Sequence, residues 1–253
     1  MLDTMLARIK AADFTVLQDL SGVDAAEVAA LLTEPDPQTR ELVLWILDEL
    51  GGLAATRAAS AAVLDPHPQV VGVALRVLRH HATPEVMEQV LGTYAEVPVP
   101  AVRQHLALVL GRIGAASAAV LALDNSETDP GAKATLALVA AHLGDADARA
   151  RVPGTWSAVN GPQARALLED LEFLAAAWAL PDIHPLLGDP TPVLRIGADG
   201  LPGPEHLRVC DLAVNLAARL GPPPFPFATD GHTNYADEQL RQTKSYLDGL
   251  ARA

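Results

Sequence analysis

The chain has very few cysteines and aromatic residues. Cys210 is the only cysteine among 253 residues, so an internal disulfide cannot form, which fits a reducing compartment such as the cytoplasm. Aromatic residues make up only 4% of the chain, although half of its residues are hydrophobic. This composition favours close-packed helices of Ala, Leu and Val over a sheet-rich core.

Positive charge and long apolar runs are also scarce. The formal net charge of −13 argues against a nucleic-acid partner and favours a protein partner with a basic surface. No uncharged apolar stretch reaches the ~18 residues of a membrane span. The first ten residues include Asp3, Arg8 and Lys10, so we expect no signal peptide there. These features predict a cytoplasmic protein with no membrane partner.

The sequence also lacks the common catalytic and ligand-binding motifs. The phosphate-binding patterns GxGxxG and GxxxxGK[ST], the nucleophile motif GxSxG and the metal motifs CxxC and HExxH are all absent, and Gly197, Gly200 and Gly203 do not form such a pattern. His206 and Cys210 are spaced for one helical face, but two ligands are too few for zinc. We therefore expect no enzyme activity, no cofactor and no bound metal.

A regular series of prolines is the strongest positive feature. Pro37, Pro68, Pro100, Pro130 and Pro162 lie 31, 32, 30 and 32 residues apart. A fixed period of this length is typical of stacked supersecondary units. Such stacks commonly bind partners over an extended surface.

Each proline is followed by an amphipathic pattern. Apolar residues recur six and nine positions after it: Val43, Ala74, Leu106, Leu136 and Leu168, then Ile46, Val77, Val109, Val139 and Leu171. With the residues two and thirteen positions after the proline, they fall on one face of a helix that begins at the proline. Asp36 and Asp129 are predicted N-caps, and Gly51, Gly114 and Gly144 are predicted C-caps. Second helices are predicted at 54–64, 84–94 and 115–123, so each unit is a helical hairpin.

Segments such as Asp36-Pro37-Gln38-Thr39-Arg40 and Pro100-Ala101-Val102-Arg103, each followed by an Ala/Leu-rich helix, resemble HEAT repeats. They look most like the short subclass found in bilin-lyase-like and related bacterial proteins. The resemblance covers residues 34–176, with a possible further unit at 204–221, and the Asp–Arg pattern is partial. It implies an all-α fold, a right-handed α-solenoid of stacked helical hairpins.

The chain divides into three predicted regions. Residues 1–33 form an N-terminal helical cap with helices at 2–11 and 25–32, and residues 34–176 form the HEAT-like repeat array. Residues 177–253 form an irregular loop and a C-terminal helical cap packed on the same solenoid. Within this last region we expect a Pro/Gly-rich loop at 178–204 with an extended piece at 193–196, and helices at 205–220 and 236–251. Thr233 or Asn234 is the expected cap of the last helix, and the strip at 222–227 is expected to bury the rings of Phe225 and Phe227.

A speculative partner-binding ridge lies twelve positions after each proline. Its polar members are Glu49, His80, Arg112 and His142, and Leu174 follows them. Equivalent positions of stacked repeats line up, so these side chains could meet an acidic segment of a partner. The alternative, which we favour, is a solvated helix edge where His and Arg suit the helix dipole.

Three other polar features have structural explanations that we favour. His81 occupies a core position and is expected to hydrogen-bond a neighbouring carbonyl. The basic residues in the first turns, Arg40, Arg103, Lys133 and Arg165, are expected to pair with carboxylates in adjacent turns, as in HEAT repeats. The polar loop at 230–235 could hold an acid–base pair, but its composition is also typical of a turn before a helix.

The predicted function is a non-enzymatic protein–protein interaction scaffold that binds its partner through the solenoid groove. The resemblance also implies an alternative, a HEAT-like enzyme or accessory factor of the bilin-lyase or alkyl-base DNA glycosylase kind. A third possibility is an immunity-type binder of a basic toxin, for which the acidic charge would supply complementarity.

Overall fold

The fold is known from a computed structural model that describes residues 7, 8, 11, 15, 20–196 and 206–252. Its contacts divide the chain into two compact units, Met1–Val139 and Ala140–Ala253. Most of the helix predicted at 2–11 lies outside the described residues, as do Gly197, Gly200 and Gly203. The described part of the chain is mainly helical, which confirms the all-α class.

The first unit consists of consecutive helices joined by short turns. From residue 20 onward its elements are α1 (Ala25–Ala29) with a 3₁₀ extension (Ala30–Thr33), α2 (Pro37–Leu50), α3 (Gly52–Ala62), α4 (Pro68–His81), a 3₁₀ turn (Pro84–Val86), α5 (Met87–Glu96), α6 (Pro100–Arg112), α7 (Ser117–Ser126) and α8 (Pro130–His142). The division between the units falls within α8.

The proline-led helices begin where the repeat predicts. Pro37, Pro68, Pro100 and Pro130 are each the first residue of a helix, where the missing N–H costs nothing. The two predicted N-caps are also present. The Asp36 carboxylate accepts a 2.8 Å hydrogen bond from the Thr39 N–H, and Asp129 accepts one of 2.9 Å from the Ala132 N–H.

The helices of the first unit pack in two layers. The proline-led helices α2, α4 and α6 contact one another in turn, and α3 packs on α5 in the second layer. The helices α3 and α5 also contact the proline-led helix that follows each of them. The predicted apolar positions lie between the layers: Val43, Ile46, Ala74, Val77, Leu106 and Val109 are all buried.

Two arginines connect successive hairpins in the same way. Arg40 donates to both oxygens of Asp65, at 2.7 and 3.1 Å, and to the carbonyls of Glu34 and Pro35. Arg103 repeats this arrangement with Glu127, at 2.8 and 2.9 Å, and with the carbonyls of Val97 and Pro98. The predicted pairing with carboxylates is thus confirmed at these two positions.

The other two basic residues differ from that prediction. Lys133 donates to the Asp124 carbonyl, and Arg165 pairs with Glu169 on its own helix while also donating to the Val193 carbonyl. Their positions match the repeat, but no carboxylate of a following turn accepts from them among the described contacts.

The second unit has shorter and less regular elements. In the described ranges, 140–196 and 206–252, they are α9 (Ala146–Arg151), a 3₁₀ segment (Val152–Ala158), α10 (Gly161–Phe173), a 3₁₀ segment (Ala177–Gly188), β1 (Pro192–Arg195), β2 (His206–Arg208), α11 (Val209–Leu220) and α12 (Asp237–Leu250). The two strands pair antiparallel. The helix α10 begins one residue before Pro162, close to the predicted start.

The prediction of a long irregular loop at 178–204 is wrong over its first half. Residues Ala177–Gly188 form a 3₁₀ segment that packs on α11 and α12. Leu180, Ile183 and Leu186 are buried and spaced by three, which matches the three residues per turn of a 3₁₀ helix. The extended piece is confirmed as β1, one residue earlier than predicted.

Three further predictions for this unit need correction. The helix expected from residue 205 begins at Val209, because β2 precedes it. The residue that caps α12 is Ala236 rather than Thr233 or Asn234. Phe225 and Phe227 are only half-buried, and their rings pack on each other, on Tyr246 and on Tyr235.

Candidate functional site

A cluster of one aspartate and two histidines lies between the C-terminal turns of α2 and α4. Asp48 is in the last turn of α2, and His80 and His81 are the last two residues of α4. The two helices pack side by side and both begin at a repeat proline, so their final turns adjoin. The Asp48 side chain is only 4% exposed, whereas those of His80 and His81 are 45% and 30% exposed.

Each oxygen of the Asp48 carboxylate has its own partners. Oδ1 lies 3.0 Å from His80 Nδ1 and 3.2 Å from His81 Nε2, and Oδ2 accepts a 2.7 Å hydrogen bond from Arg76 Nε. Burial acts to raise the pKa of Asp48, but the hydrogen bonds from Arg76 and His80 outweigh it and leave the pKa lowered. The cluster therefore holds a fixed carboxylate anion facing two imidazoles.

Neighbouring residues fix the position of these side chains. The Arg76 guanidinium carbon lies 5.0 Å from the centre of the Trp45 ring, a cation–π arrangement that orients the arginine. Gly51 has a φ of 63°, and a Cβ at this residue would lie 3.1 Å from His81 Nδ1. Glycine is thus favoured both by the helix end and by the close approach of the His81 ring.

Only part of the predicted ridge lies at this cluster. His80 belongs to it, and Glu49 is the exposed neighbour of Asp48 in sequence. Arg112 is exposed at the end of α6. His142 lies in the second unit, where burial and then the charge of Arg149 lower its pKa. Its Nδ1 has no hydrogen-bond partner among the described residues. A partner-binding role for the four residues stays a prediction.

Sequence reasoning missed Asp48, Arg76 and Trp45. Trp45 and Arg76 both lie eight positions after their prolines, so their contact follows from the repeat register. Asp48 lies eleven positions after Pro37, one position from the ridge. The expectation that His81 bonds a carbonyl is wrong, because its ring faces the Asp48 carboxylate.

The exposed polar face of the proline-led helices continues beyond the cluster. Arg79 Nη1 on α4 lies 3.3 Å from His105 Nδ1 on α6. Together with the contact between Arg76 and Trp45, this pair links the faces of α2, α4 and α6. We call this surface, with Glu49, His80 and Arg112, the α2–α4–α6 face.

Two other candidate sites have a structural role or are not formed. His206 lies in β2 and Cys210 in α11, so the predicted pair does not share a helical face, and burial raises the pKa of the Cys210 thiol. In the loop at 230–235, Asp230 accepts hydrogen bonds from the His232 N–H and the Thr233 hydroxyl. Those bonds close a turn.

Comparison with known proteins matched this chain to no family model and to no curated protein. Among the residues that the structure describes, each helix is too short or too polar to traverse a membrane.

Proposed function

We propose that the first unit is a HEAT-like solenoid segment that binds a protein partner on the α2–α4–α6 face. The observation that supports this most directly is the pair of contacts that join adjacent proline-led helices, Arg76 with Trp45 and Arg79 with His105. Side chains of successive proline-led helices thereby form one surface, and solenoid repeats build binding sites from such surfaces.

The composition of this face suits a protein partner. It combines a half-buried tryptophan with arginines, histidines and the exposed Glu49. Trp and Arg are the residue types that contribute most to protein interfaces. The net charge alone pointed to a basic partner, but this face carries charges of both signs, so we propose a partner with a mixed or acidic segment here.

The test is a pair of charge-swapped variants that keep the net charge constant. Glu49→Lys with Arg112→Glu changes the α2–α4–α6 face. Arg57→Glu with Glu88→Lys makes the same exchange at exposed positions of α3 and α5, in the other layer. Each protein is used for affinity capture from native lysate at moderate salt, followed by mass spectrometry.

We expect wild type and the α3/α5 variant to retain the same partner and the face variant to lose it. Because the charged residues contribute, the interaction should also weaken as added salt screens them. Equal capture by all three proteins would refute this face as the binding surface, provided that the circular dichroism spectra agree.

A further inference from the structure

We infer that Asp48, His80 and His81 form a binding site for a divalent transition metal ion of the zinc class, with one coordination position left open. The inference is independent of the proposed partner binding. It begins from the three potential ligand atoms, which all lie within 4.8 Å of one another.

The separations of Asp48 Oδ1 from the two histidine nitrogens agree with those in a zinc site. Zinc binds His nitrogen and carboxylate oxygen at about 2.0–2.2 Å, so two ligand atoms of a tetrahedral site lie roughly 3.3 Å apart. The distances from Asp48 Oδ1 to His80 Nδ1 and His81 Nε2 are 3.0 and 3.2 Å. An ion can therefore replace the direct contacts of the two histidines with Oδ1 after small side-chain movements.

The surrounding residues orient the ligands. Arg76 holds Oδ2 of Asp48 and leaves Oδ1 to face the histidines, the outer-shell arrangement that fixes a ligating carboxylate. With metal bound through His80 Nδ1 and His81 Nε2, the ring proton of each histidine would reside on its other nitrogen. The packing of His81 against Gly51 limits rotation of that ring.

The exposure of the histidines makes the site accessible. Asp48 is buried, but His80 and His81 are 45% and 30% exposed, so an ion can enter from solvent. Three protein ligands leave a fourth position for water or another ligand, which is the pattern of zinc sites that act on a bound molecule rather than only stabilise the fold.

The experiment uses the full chain, freed of any affinity tag that contains histidine. Zn²⁺ affinity is measured by competition with a chromophoric chelator, and Co²⁺ is added separately as a spectroscopic probe. The variants are His80→Ala, His81→Ala and Asp48→Asn. His105→Ala is the matched control, because His105 also lies beside an arginine on this face but outside the cluster.

We expect one Zn²⁺ per chain and the intense visible absorption of four-coordinate Co²⁺. Affinity should fall at least tenfold in His80→Ala and His81→Ala and remain unchanged in His105→Ala. Zn²⁺ should also raise the melting temperature of wild type but not of His81→Ala, since a ligand of the folded state stabilises it.

Three results would overturn the inference. They are the absence of Zn²⁺ binding by wild type, equal binding by the histidine variants, and binding with only the weak absorption of six-coordinate Co²⁺. If Asp48→Asn fails to fold because Asp48 is buried, His80→Ala and His81→Ala still test the metal site, since both histidines are partly exposed.

Discussion

At the scale of single residues, the Glu127 carboxylate has the most consequential environment in the first unit. It accepts hydrogen bonds from Arg103 Nε at 2.8 Å, from the Tyr94 hydroxyl at 2.7 Å, and from the backbone N–H groups of Thr128 and Asp129. The bonds from Arg103 are the main cause that lowers the pKa of Glu127 from 4.5 to about 2, against the opposing effect of burial.

This shift predicts a loss of stability in acid. Between about pH 4.5 and pH 2 the unfolded chain takes up the Glu127 proton while the folded protein does not. The stabilisation is therefore complete above the unfolded pKa and is lost as the pH falls through this window. The two pKa values correspond to roughly 3 kcal/mol of unfolding free energy. Urea denaturation at a series of pH values measures it.

Two variants make this prediction specific. Glu127→Gln should lower the unfolding free energy at neutral pH by roughly 3 kcal/mol and should show a shallower decline in acid. Glu169→Gln removes an exposed pair with Arg165, in which the Glu169 side chain is 53% exposed, and should cost at most about 1 kcal/mol. If Glu127→Gln retained the full acid dependence of wild type, the loss of stability in acid would come from a residue other than Glu127.

At the scale of elements, an aspartate introduced in the middle of α6 and one introduced at its N-cap should have opposite effects on stability. Leu106 is fully buried between the helix layers. Leu106→Asp would place an unpaired charge there, and we expect a loss of at least ~4 kcal/mol, enough to unfold the first unit. Near-wild-type thermal melting, followed by circular dichroism, would contradict the repeat register.

Val99, at the start of the same helix, should respond in the opposite direction. It is the N-cap of α6, with φ −87° and ψ 115°, but it provides no capping hydrogen bond and is 51% exposed. Asp36 caps α2 with nearly the same backbone angles, −78° and 121°. Val99→Asp should therefore supply the missing cap and raise the unfolding free energy by about 1 kcal/mol.

The control for this prediction is Val99→Ala, which removes the exposed valine without adding an acceptor. Only the aspartate variant should gain stability in urea denaturation. An equal gain in both variants would show that loss of the exposed side chain, and not the cap, is responsible.

The elements also show how far the sequence predicts this protein. The starts of the proline-led helices in the first unit were predictable because proline occupies the first helical turn and the apolar spacing repeats. The second helices of the hairpins begin two or three residues from the predicted starts, because their first turns carry no such signal. The 3₁₀ segment at Ala177–Gly188 was missed because Pro181 and Pro185 suggested a loop, although the spacing of Leu180, Ile183 and Leu186 was a usable signal.

The Asp48 cluster was not predictable as a whole. Asp48 and His80 are 32 residues apart in sequence, and their contact depends on how α2 packs on α4.

At the scale of the whole molecule, the net charge of −13 should make stability rise when salt is added at neutral pH. Repulsion among the acidic groups acts over long distances, and the screening length falls from ~30 Å at 0.01 M to ~10 Å at 0.1 M ionic strength. Salt also weakens attractive pairs, but the well-buried Asp65 and Glu127 carboxylates are screened less than exposed ones. We expect a gain of roughly 1 kcal/mol in unfolding free energy over this range.

The same titration at a pH near 4.9, where the sequence has no net charge, separates repulsion from other effects of salt. There the repulsive energy is small, so sodium chloride should leave stability unchanged or lower it by weakening the remaining ion pairs. The sign of the salt effect should thus change between the two pH values. A salt-induced gain of equal size at both would mean that chloride or sodium binds the folded protein, since relief of net repulsion cannot act where the net charge is zero.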